Sequence, residues 1–424
     1  MSRSLEIYRE ACEVFPGCVN SPVRAAVKPY PFVVERSEGP YIHTVDGEVL
    51  IDYVLGYGPL ILGHRHPHIR KAIENQLERG WLYAAPTEVE VRLARKILGH
   101  VMPNGLVRFV NSGTEATHLA VRLARGYTKR RCIVKFDGCY HGAHDYVLIS
   151  AGSAAQHYGV PYSEGIPEEV IKTVLIAEYN NTDVVEKLFR EMGSEIAAVI
   201  LEPVIGNFGV IPAKMEFLKT VRELCSRYGA LLVFDETITG FRLGLGGAQQ
   251  LYGVSADVVV LGKIIGGGLP IGAVVARRDI GINISPSGRV FNAGTFNAHP
   301  LSMAAGLATI EVLESEPVYT VCRRAAEEVS KAFLEASRGG VQINRVESML
   351  QVFFIDRPVD SVAVARMSNT RLYEEMHVEL RRRGVFVTPS QFEAIFTSYA
   401  HTREVVERTT EAIHDVFRRI RGWS

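Results

Sequence analysis

An α/β fold built around a largely parallel sheet is predicted for this 424-residue chain on three observations. Short apolar runs recur from about Gly63 to Ala305, and several are apolar at every position, as strands buried on both faces must be. Helical patterns such as Glu115 to Tyr127 and Glu216 to Tyr228 separate them, and this alternation is the mark of parallel βαβ units. Two of the runs deliver a reactive side chain at their ends, Asp235 after Leu231-Leu232-Val233-Phe234 and Lys263 after Val258-Val259-Val260-Leu261-Gly262.

Three segments follow from this pattern: an N-terminal segment 1–60, a large domain 61–305 and a C-terminal small domain 306–424. The first is turn-rich, and Asp46-Gly47 between Tyr41-Ile42-His43 and Val49-Leu50-Ile51 predicts a hairpin. In the large domain the strand candidates are Val107 to Val110, Cys132 to Phe136, Tyr146 to Ile149, Val174 to Ile176, Ala197 to Leu201, Leu231 to Phe234, Val258 to Leu261 and Ala273 to Ala276. Ala151 to Pro167 lacks periodicity and is rich in small residues, which suits a lid loop. The tail holds long helical patterns, and in the last of them Val406, Ile413, Phe417 and Ile420 form one apolar stripe.

Composition excludes several roles. Lys+Arg and Asp+Glu are equal at 47 each, so no net charge favours nucleic acid or an anionic membrane. The apolar stretch Val258 to Ala276 is interrupted by Lys263, glycines and Pro270, so it is no membrane span. The start of the chain lacks the apolar core of a signal peptide, and the expected compartment is the cytoplasm. The six cysteines include no Cys-x-x-Cys pair and are expected to be reduced thiols. No metal is expected. His64-Arg65-His66-Pro67-His68 has no Cys or carboxylate cluster beside it and reads as a solvated turn before a helix.

One lysine and one aspartate at strand ends match the needs of pyridoxal phosphate. The amine condenses with the cofactor aldehyde, and the carboxylate keeps a proton on the ring nitrogen so that the ring can accept electrons. Asn111-Ser112-Gly113-Thr114-Glu115 lies between a strand and a helix, where backbone N–H groups and the helix dipole attract an anion. Ser and Thr also cap helices without any ligand; Asp235 and Lys263 in the same sheet turn the reading toward a phosphate. In Gly138-Cys139-Tyr140-His141-Gly142 the aromatic ring could stack on a flat cofactor or belong to the core. In Glu202-Pro203-Val204-Ile205-Gly206-Asn207, Asn207 could meet the cofactor hydroxyl or serve the turn. Asp235-Glu236-Thr237 places two carboxylates after an apolar strand, an arrangement foreign to plain core. The glycines after Lys263 are not a nucleotide loop, because Asp257 stands where its first glycine belongs and Ile264 follows the lysine.

Together these motifs resemble the class III aminotransferases, with the fold type I architecture of pyridoxal phosphate enzymes, over nearly the whole chain. That implies a mostly parallel seven-stranded sheet in the large domain and a smaller α+β domain from both ends of the chain. Val19-Asn20-Ser21-Pro22-Val23-Arg24-Ala25 and Pro389-Ser390-Gln391-Phe392-Glu393-Ala394 are particular to the members that move an amino group within glutamate 1-semialdehyde to give 5-aminolevulinate. The resemblance implies that Lys263 bonds the cofactor and shuttles protons, that Asp235 pairs with the ring nitrogen, and that Ser112, Gly113 and Thr114 hold the phosphate. It places Tyr140 over the ring and Asn207 near its hydroxyl, with His141 and Thr237 among the cofactor-binding set. Gly294 and Thr295 would serve the phosphate of a neighbouring subunit, which implies a homodimer with shared sites. Ser21, Arg24, Ser153 and Glu393 would meet the substrate, and Ala151 to Pro167 would be its gate. Contact with the glutamyl-tRNA reductase that makes the unstable aldehyde is a further implied partner. The cofactor would work in both pyridoxal and pyridoxamine phosphate forms.

The chain departs from the family at Phe296-Asn297-Ala298-His299-Pro300, where a small Ser-Gly-Asn-Pro or Ala-Gly-Asn-Pro run is usual, and at Tyr57, where Trp is common. An ordinary transaminase is the nearest rival. It needs an Arg from the C-terminal domain for the carboxylate of its oxo acid, yet Val385 to Thr402 contains no Arg and carries Glu393. A non-catalytic protein of the same fold is the alternative of another class, and intact Lys263 and Asp235 speak against it.

Overall fold

The computed structural model describes residues 2–149 and 163–420. The chain forms two compact units, one of residues 67–207 and 211–317, the other of residues 1–66, 208–210 and 318–424. The boundary expected after Ala305 falls inside a helix, Pro300–Ser315, which is buried nearly all round and packs on the helices Pro67–Leu77 and Glu88–Val101 of the large unit.

In chain order the strands are β1 Val34–Glu38, β2 Tyr41–Thr44, β3 Val49–Asp52, β4 Gly105–Val110, β5 Cys132–Phe136, β6 Val174–Ala177, β7 Ile196–Leu201 and β8 Val204–Ile205. There follow β9 Ile211–Pro212, β10 Leu231–Asp235, β11 Val258–Gly262, β12 Gly272–Arg277, β13 Gln342–Val346, β14 Met349–Phe353, β15 Val385–Phe386 and β16 Ile395–Phe396. The large unit holds a seven-stranded sheet of order β4-β12-β11-β10-β7-β5-β6. Only β12 runs against its neighbours, so the other six strands point one way. β5, β7, β10 and β11 are buried at every residue; β7 and β11 carry no charged side chain, while β5 buries Lys135 and β10 ends in Asp235. The helix Gly113–Thr128, here α1, packs Ala116, Leu119, Ala120 and Leu123 against this sheet.

The second unit is α+β. The expected hairpin joins β2 and β3 across Asp46-Gly47, and β15 adds in parallel beside β3, with Val385 opposite Ile51. A second sheet pairs β13, β14 and β16. The last helix, Arg403–Phe417, buries Val406, Ile413 and Phe417 with Ile420 just beyond it, against Tyr53, Phe333, Tyr373 and Leu380.

Two expectations are corrected. Tyr146 to Ile149 is a turn, not a strand: the N–H groups of Val147 and Leu148 both bond the carbonyl of His144, and Tyr146 lies under the Arg125 guanidinium at 4.1 Å. An apolar run of four is too short to distinguish a strand from a buried turn. Cys12 and Cys18, expected as free thiols, form a disulfide. The helix Arg3–Val14 ends at Phe15, and Pro16 with left-handed Gly17 (φ 64°) turns the chain back, bringing the two Cα atoms to 4.0 Å. The other four cysteines are buried and lie outside any disulfide. Among the described residues, no helix is long and apolar enough to cross a membrane.

Candidate active site

Because six strands of the large sheet are parallel, their C-terminal ends share one edge, where open α/β sheets place their ligands. Ser112 follows β4, His141 follows β5, Glu202 and Asn207 follow β7, Asp235 ends β10 and Lys263 follows β11. The sheet therefore gathers most of the residues that the motifs single out.

Ser112 caps α1, its hydroxyl accepting the N–H of Glu115 at 3.2 Å. The N–H groups of Gly113 and Thr114 open the helix at its positive end. The turn is too tight for larger residues around it. A Cβ at Gly272 would lie 2.1 Å from the Ser112 carbonyl, and one at Gly142, where φ is +97°, would lie 2.7 Å from Thr114 Cα. Thr114 Oγ1 accepts the N–H of Ala143 at 3.1 Å, which ties the phosphate-type turn to the loop carrying Tyr140 and His141.

Asp235 is 3 % exposed. His141 Nδ1 lies 2.8 Å from its Oδ2, while the N–H and hydroxyl of Thr237 donate to Oδ1 at 3.0 and 2.6 Å. Burial lowers the pKa of His141, with the bond to Asp235 opposing the shift, so a neutral ring donating from Nδ1 is the form this geometry favours. Thr237 also touches both flanks of the site: Cβ atoms at Gly113 and Gly262 would each lie 3.2 Å from its Cγ2.

Lys263 takes a left-handed backbone (φ 49°) between β11 and a short 3-10 turn. A non-glycine residue there carries strain, a cost that tends to be retained where a side chain must be aimed. Lys263 is half-buried, as are Ser112, Gly113, Thr114, Tyr140, Asn207 and Thr237, whereas the Asp235 and His141 behind them are buried. Most of the residues that would touch a ligand thus keep a face open, whereas Asp235, which would also touch it, is buried together with the His141 that orients it.

The residues fit a flat pyridine ring bearing an anionic group. A buried carboxylate held by three donors, a helix N-terminus cleared of side chains and one aimed lysine are the three contacts such a group needs.

Sequence reasoning missed Glu202, although its signal was present: a carboxylate directly after an all-apolar strand, as with Asp235. It is 3 % exposed, and burial pushes its pKa up to about 8, with the charge of Asp235 adding to the effect. Glu236 proves to be an anchor. It accepts the N–H groups of Ala248 and Gln249 at 2.6 and 3.3 Å and the hydroxyl of Thr239 at 2.9 Å.

Gly294 and Thr295 lie exposed on a surface loop of the same unit, with Phe291 and Phe296 66 % and 53 % exposed beside them. Asn297 fixes this loop through Asn111 and Asn292.

The other unit carries the residues expected at the substrate. Ser21 precedes a 3-10 turn, Pro22–Ala26, that holds Arg24. Arg24 and Tyr57 line a cavity of about 600 Å³ together with Phe15, Cys18, Asp52 and Phe386. Burial raises the pKa of Tyr57, the charge of Glu393 raises it further, and Arg24 opposes them. Glu393 is buried, and its carbonyl accepts from Thr388 Oγ1 at 3.0 Å and from Gln351 Nε2. His64, read as part of a solvated turn, bonds Asp52 at 2.7 Å. Ser153 lies outside the described residues, as does most of the expected gate; its last part, 163–167, leads into the helix Glu168–Ile171.

Known proteins bear on this arrangement. The sequence profile of the family Aminotransferase class-III matches residues 23–417. The glutamate-1-semialdehyde 2,1-aminomutase of Hyperthermus butylicus is 60% identical over 425 residues, 99% of each chain. That of Aeropyrum pernix is 54% identical over 423 residues, again 99% of each. Among solved structures, an omega-transaminase from Sphaerobacter thermophilus superposes with a TM-score of 0.92 at 33% identity, covering 99% of this chain and 98% of that one. A glutamate-1-semialdehyde aminomutase from Pseudomonas aeruginosa gives 0.86 at 26% identity, covering 98% and 94%, and a variant of it has been solved in complex with PMP. With a profile match over nearly its whole length and full-length relatives at this identity, the chain belongs to the class III aminotransferase family.

Proposed function

We propose that this protein is a pyridoxal-phosphate-dependent aminomutase that converts glutamate 1-semialdehyde into 5-aminolevulinate through 4,5-diaminovalerate, a step of tetrapyrrole synthesis. The observation that carries the reading is 60% identity to a protein of that name over 99% of both chains.

The cofactor, in its pyridoxamine and pyridoxal phosphate forms, supplies an electron sink and a carrier for the amino group. Ser112, Gly113 and Thr114 would hold its phosphate, and Gly294 and Thr295 would serve the phosphate of a neighbouring subunit. Tyr140 would cover the ring, and Asn207 would face its hydroxyl. Asp235 would hold the proton on the ring nitrogen, with His141 and Thr237 fixing its two oxygens. Lys263 would take a proton at Nζ and return it one position away, so it must be neutral when it acts. Arg24 and Ser21 would hold the substrate carboxylate, with Ser153 among the substrate contacts. Glu393, standing where an oxo-acid transaminase needs a cation, would repel a second carboxylate.

The protein would work as a homodimer. The exposed Phe291 and Phe296 beside Thr295 support that reading, since apolar side chains clustered on a surface mark an interaction site. A cytoplasmic location and delivery of the labile aldehyde by glutamyl-tRNA reductase belong to the same proposal.

The test is a product assay on protein loaded with pyridoxamine phosphate and given glutamate 1-semialdehyde without any oxo acid. Steady 5-aminolevulinate formation over many turnovers is expected. A single turnover that resumes only with a 2-oxo acid and an amino donor would make the protein a transaminase.

A further inference from the structure

Glu202 is a buried carboxylate that the proposed chemistry leaves without a role. Its two oxygens serve different loops. Oε1 accepts the N–H of Tyr140 at 2.7 Å. Oε2 accepts the N–H of Gly206 at 3.0 Å and, at the longer distance of 3.4 Å, Asn207 Nδ2. Its own carbonyl accepts the Tyr179 hydroxyl at 2.7 Å, so the root of the side chain is also fixed. The loop after β7 is shaped to this contact, because a Cβ at Gly206 would lie 2.6 Å from the Ile238 side chain.

We propose that Glu202 is a positioning residue that locks the Tyr140 loop and the Asn207 loop into one unit. A buried carboxylate is tolerated only where donors satisfy it, and here the donors come from the two loops proposed to cover the cofactor ring and to face its hydroxyl. Loss of the carboxylate would free both loops together, although they follow different strands. The inference rests on the cofactor reading for the roles of Tyr140 and Asn207, while the coupling of the loops stands on geometry alone.

The charged and titratable groups felt by Glu202 are Asp235 and Lys263, with Lys135 and Cys139 in the same interior. Lys135 is fully buried and donates to the Ile149 carbonyl at 2.6 Å. Of these, Asp235 raises the pKa of Glu202 and Lys263 lowers it, and burial outweighs both.

Hydrogen exchange on the full chain without cofactor tests the coupling directly. In Glu202→Ala the amides of 138–142 and of 204–208 are both expected to exchange at least about tenfold faster than in the parent. Faster exchange confined to one loop, or unchanged exchange in both, would overturn the proposal. Should that variant fail to fold, Glu202→Gln keeps one acceptor oxygen and sets an amide against the other loop. It is expected to loosen at least one of them, and full protection of both overturns the idea. A spectroscopic readout separates positioning from packing. The absorbance of bound pyridoxal phosphate, which responds to what faces its hydroxyl, should shift its pH midpoint in Glu202→Gln; an unmoved midpoint counts against the proposal. If the parent protein binds no pyridoxal phosphate, the functional reading fails, and the exchange experiment still decides the coupling.

Discussion

The two units carry the residues of the proposed chemistry in opposite ways. In the large unit the candidate site residues other than Gly294 and Thr295 sit at or just beyond a strand's C-terminal end, and the buried ones are held by several hydrogen bonds: three donors reach Asp235 and three reach Glu202. In the smaller unit Arg24, Tyr57 and Glu393 come from stretches far apart in sequence, brought together as β15 pairs with β3, and Arg24 and Tyr57 border an open cavity. The first arrangement is preorganised, as a site must be where charge develops during reaction. The second is a recognition surface on irregular segments, where binding groups are commonly carried. Damage to the large unit should therefore appear in turnover, and damage to the smaller one in substrate affinity.

The sharpest break of that contrast is Lys263→Ala. Removing the group proposed to transfer the proton should lower kcat by about 10²–10⁴-fold or more and leave bound pyridoxal phosphate with no borohydride-reducible link to the chain. A reducible link that persists would move the reactive amine elsewhere. Arg24→Ala should act on the other side of the comparison, raising KM by about 10–100-fold through the loss of a charge-assisted contact, with kcat little changed. A fall in kcat with KM unchanged would erase the distinction between the units.

The units also differ in what they bury, and pH can separate them. In the large unit burial lifts Glu202 to about 8 and Glu236 to about 7, from an ordinary 4.5. The folded chain then holds protons that the unfolded chain has released. Their stabilising share is complete below pH 4.5 and is lost as pH rises through 7 to 8. In the smaller unit burial depresses His377 and His401 to about 4, and there stability is lost as pH falls from 6.5 through 4. The large unit also holds His144, depressed to about 3, but between pH 6.5 and 4.5 the gain from Glu202 and Glu236 outweighs its loss, so a fall in pH through that window should loosen the smaller unit, and a rise from about 5 to 8 the large one. Hydrogen exchange followed from about pH 4 to 9, corrected for its intrinsic rate, would reveal the asymmetry. Glu236→Gln should flatten the alkaline side, and an unaltered slope would show that Glu236 carries none of it.

The same contrast governs what could be read from the sequence. The residues proposed to meet the cofactor were legible because an all-apolar run fixes a strand, and a polar residue at its end has nowhere to go but the sheet's edge. That reasoning found Asp235 and Lys263 and placed seven of eight strand candidates within about two residues of their observed ends. It failed for Tyr146 to Ile149, where burial came without sheet pairing, and it passed over Glu202, whose partners lie on two loops that sequence does not show to be adjacent. Among the residues proposed to meet the substrate, nothing local distinguishes Arg24 or Glu393 from any surface charge. Only the resemblance to a family pointed to them, because their neighbours are set by pairings across more than 300 positions. The Cys12–Cys18 bond was hidden for a related reason. The count of spacings is silent on Pro16 and left-handed Gly17, the turn that brings the two thiols together.

That bond offers the smallest and most local test. It closes a short loop between the first helix and the segment leading to Ser21 and Arg24, and Cys18 lines the same cavity as Arg24. For a loop of this length, chain entropy suggests a stabilisation of about 2 kcal/mol. Most of that should fall on the N-terminal segment, since Cys12 and its neighbours are exposed and add little to the core. Reduction by a dithiol, or Cys12→Ser, should therefore speed exchange in Arg3–Val14 and raise KM a few-fold. Cofactor affinity, proposed to be set in the large unit, should stay where it was. If reduction instead weakened cofactor binding and left KM alone, the division of labour between the units would be wrong. If it changed neither exchange nor KM, then other contacts hold the segment, foremost the bonds of Ser4 Oγ to the Val33 N–H and of the Ser4 N–H to Asp46.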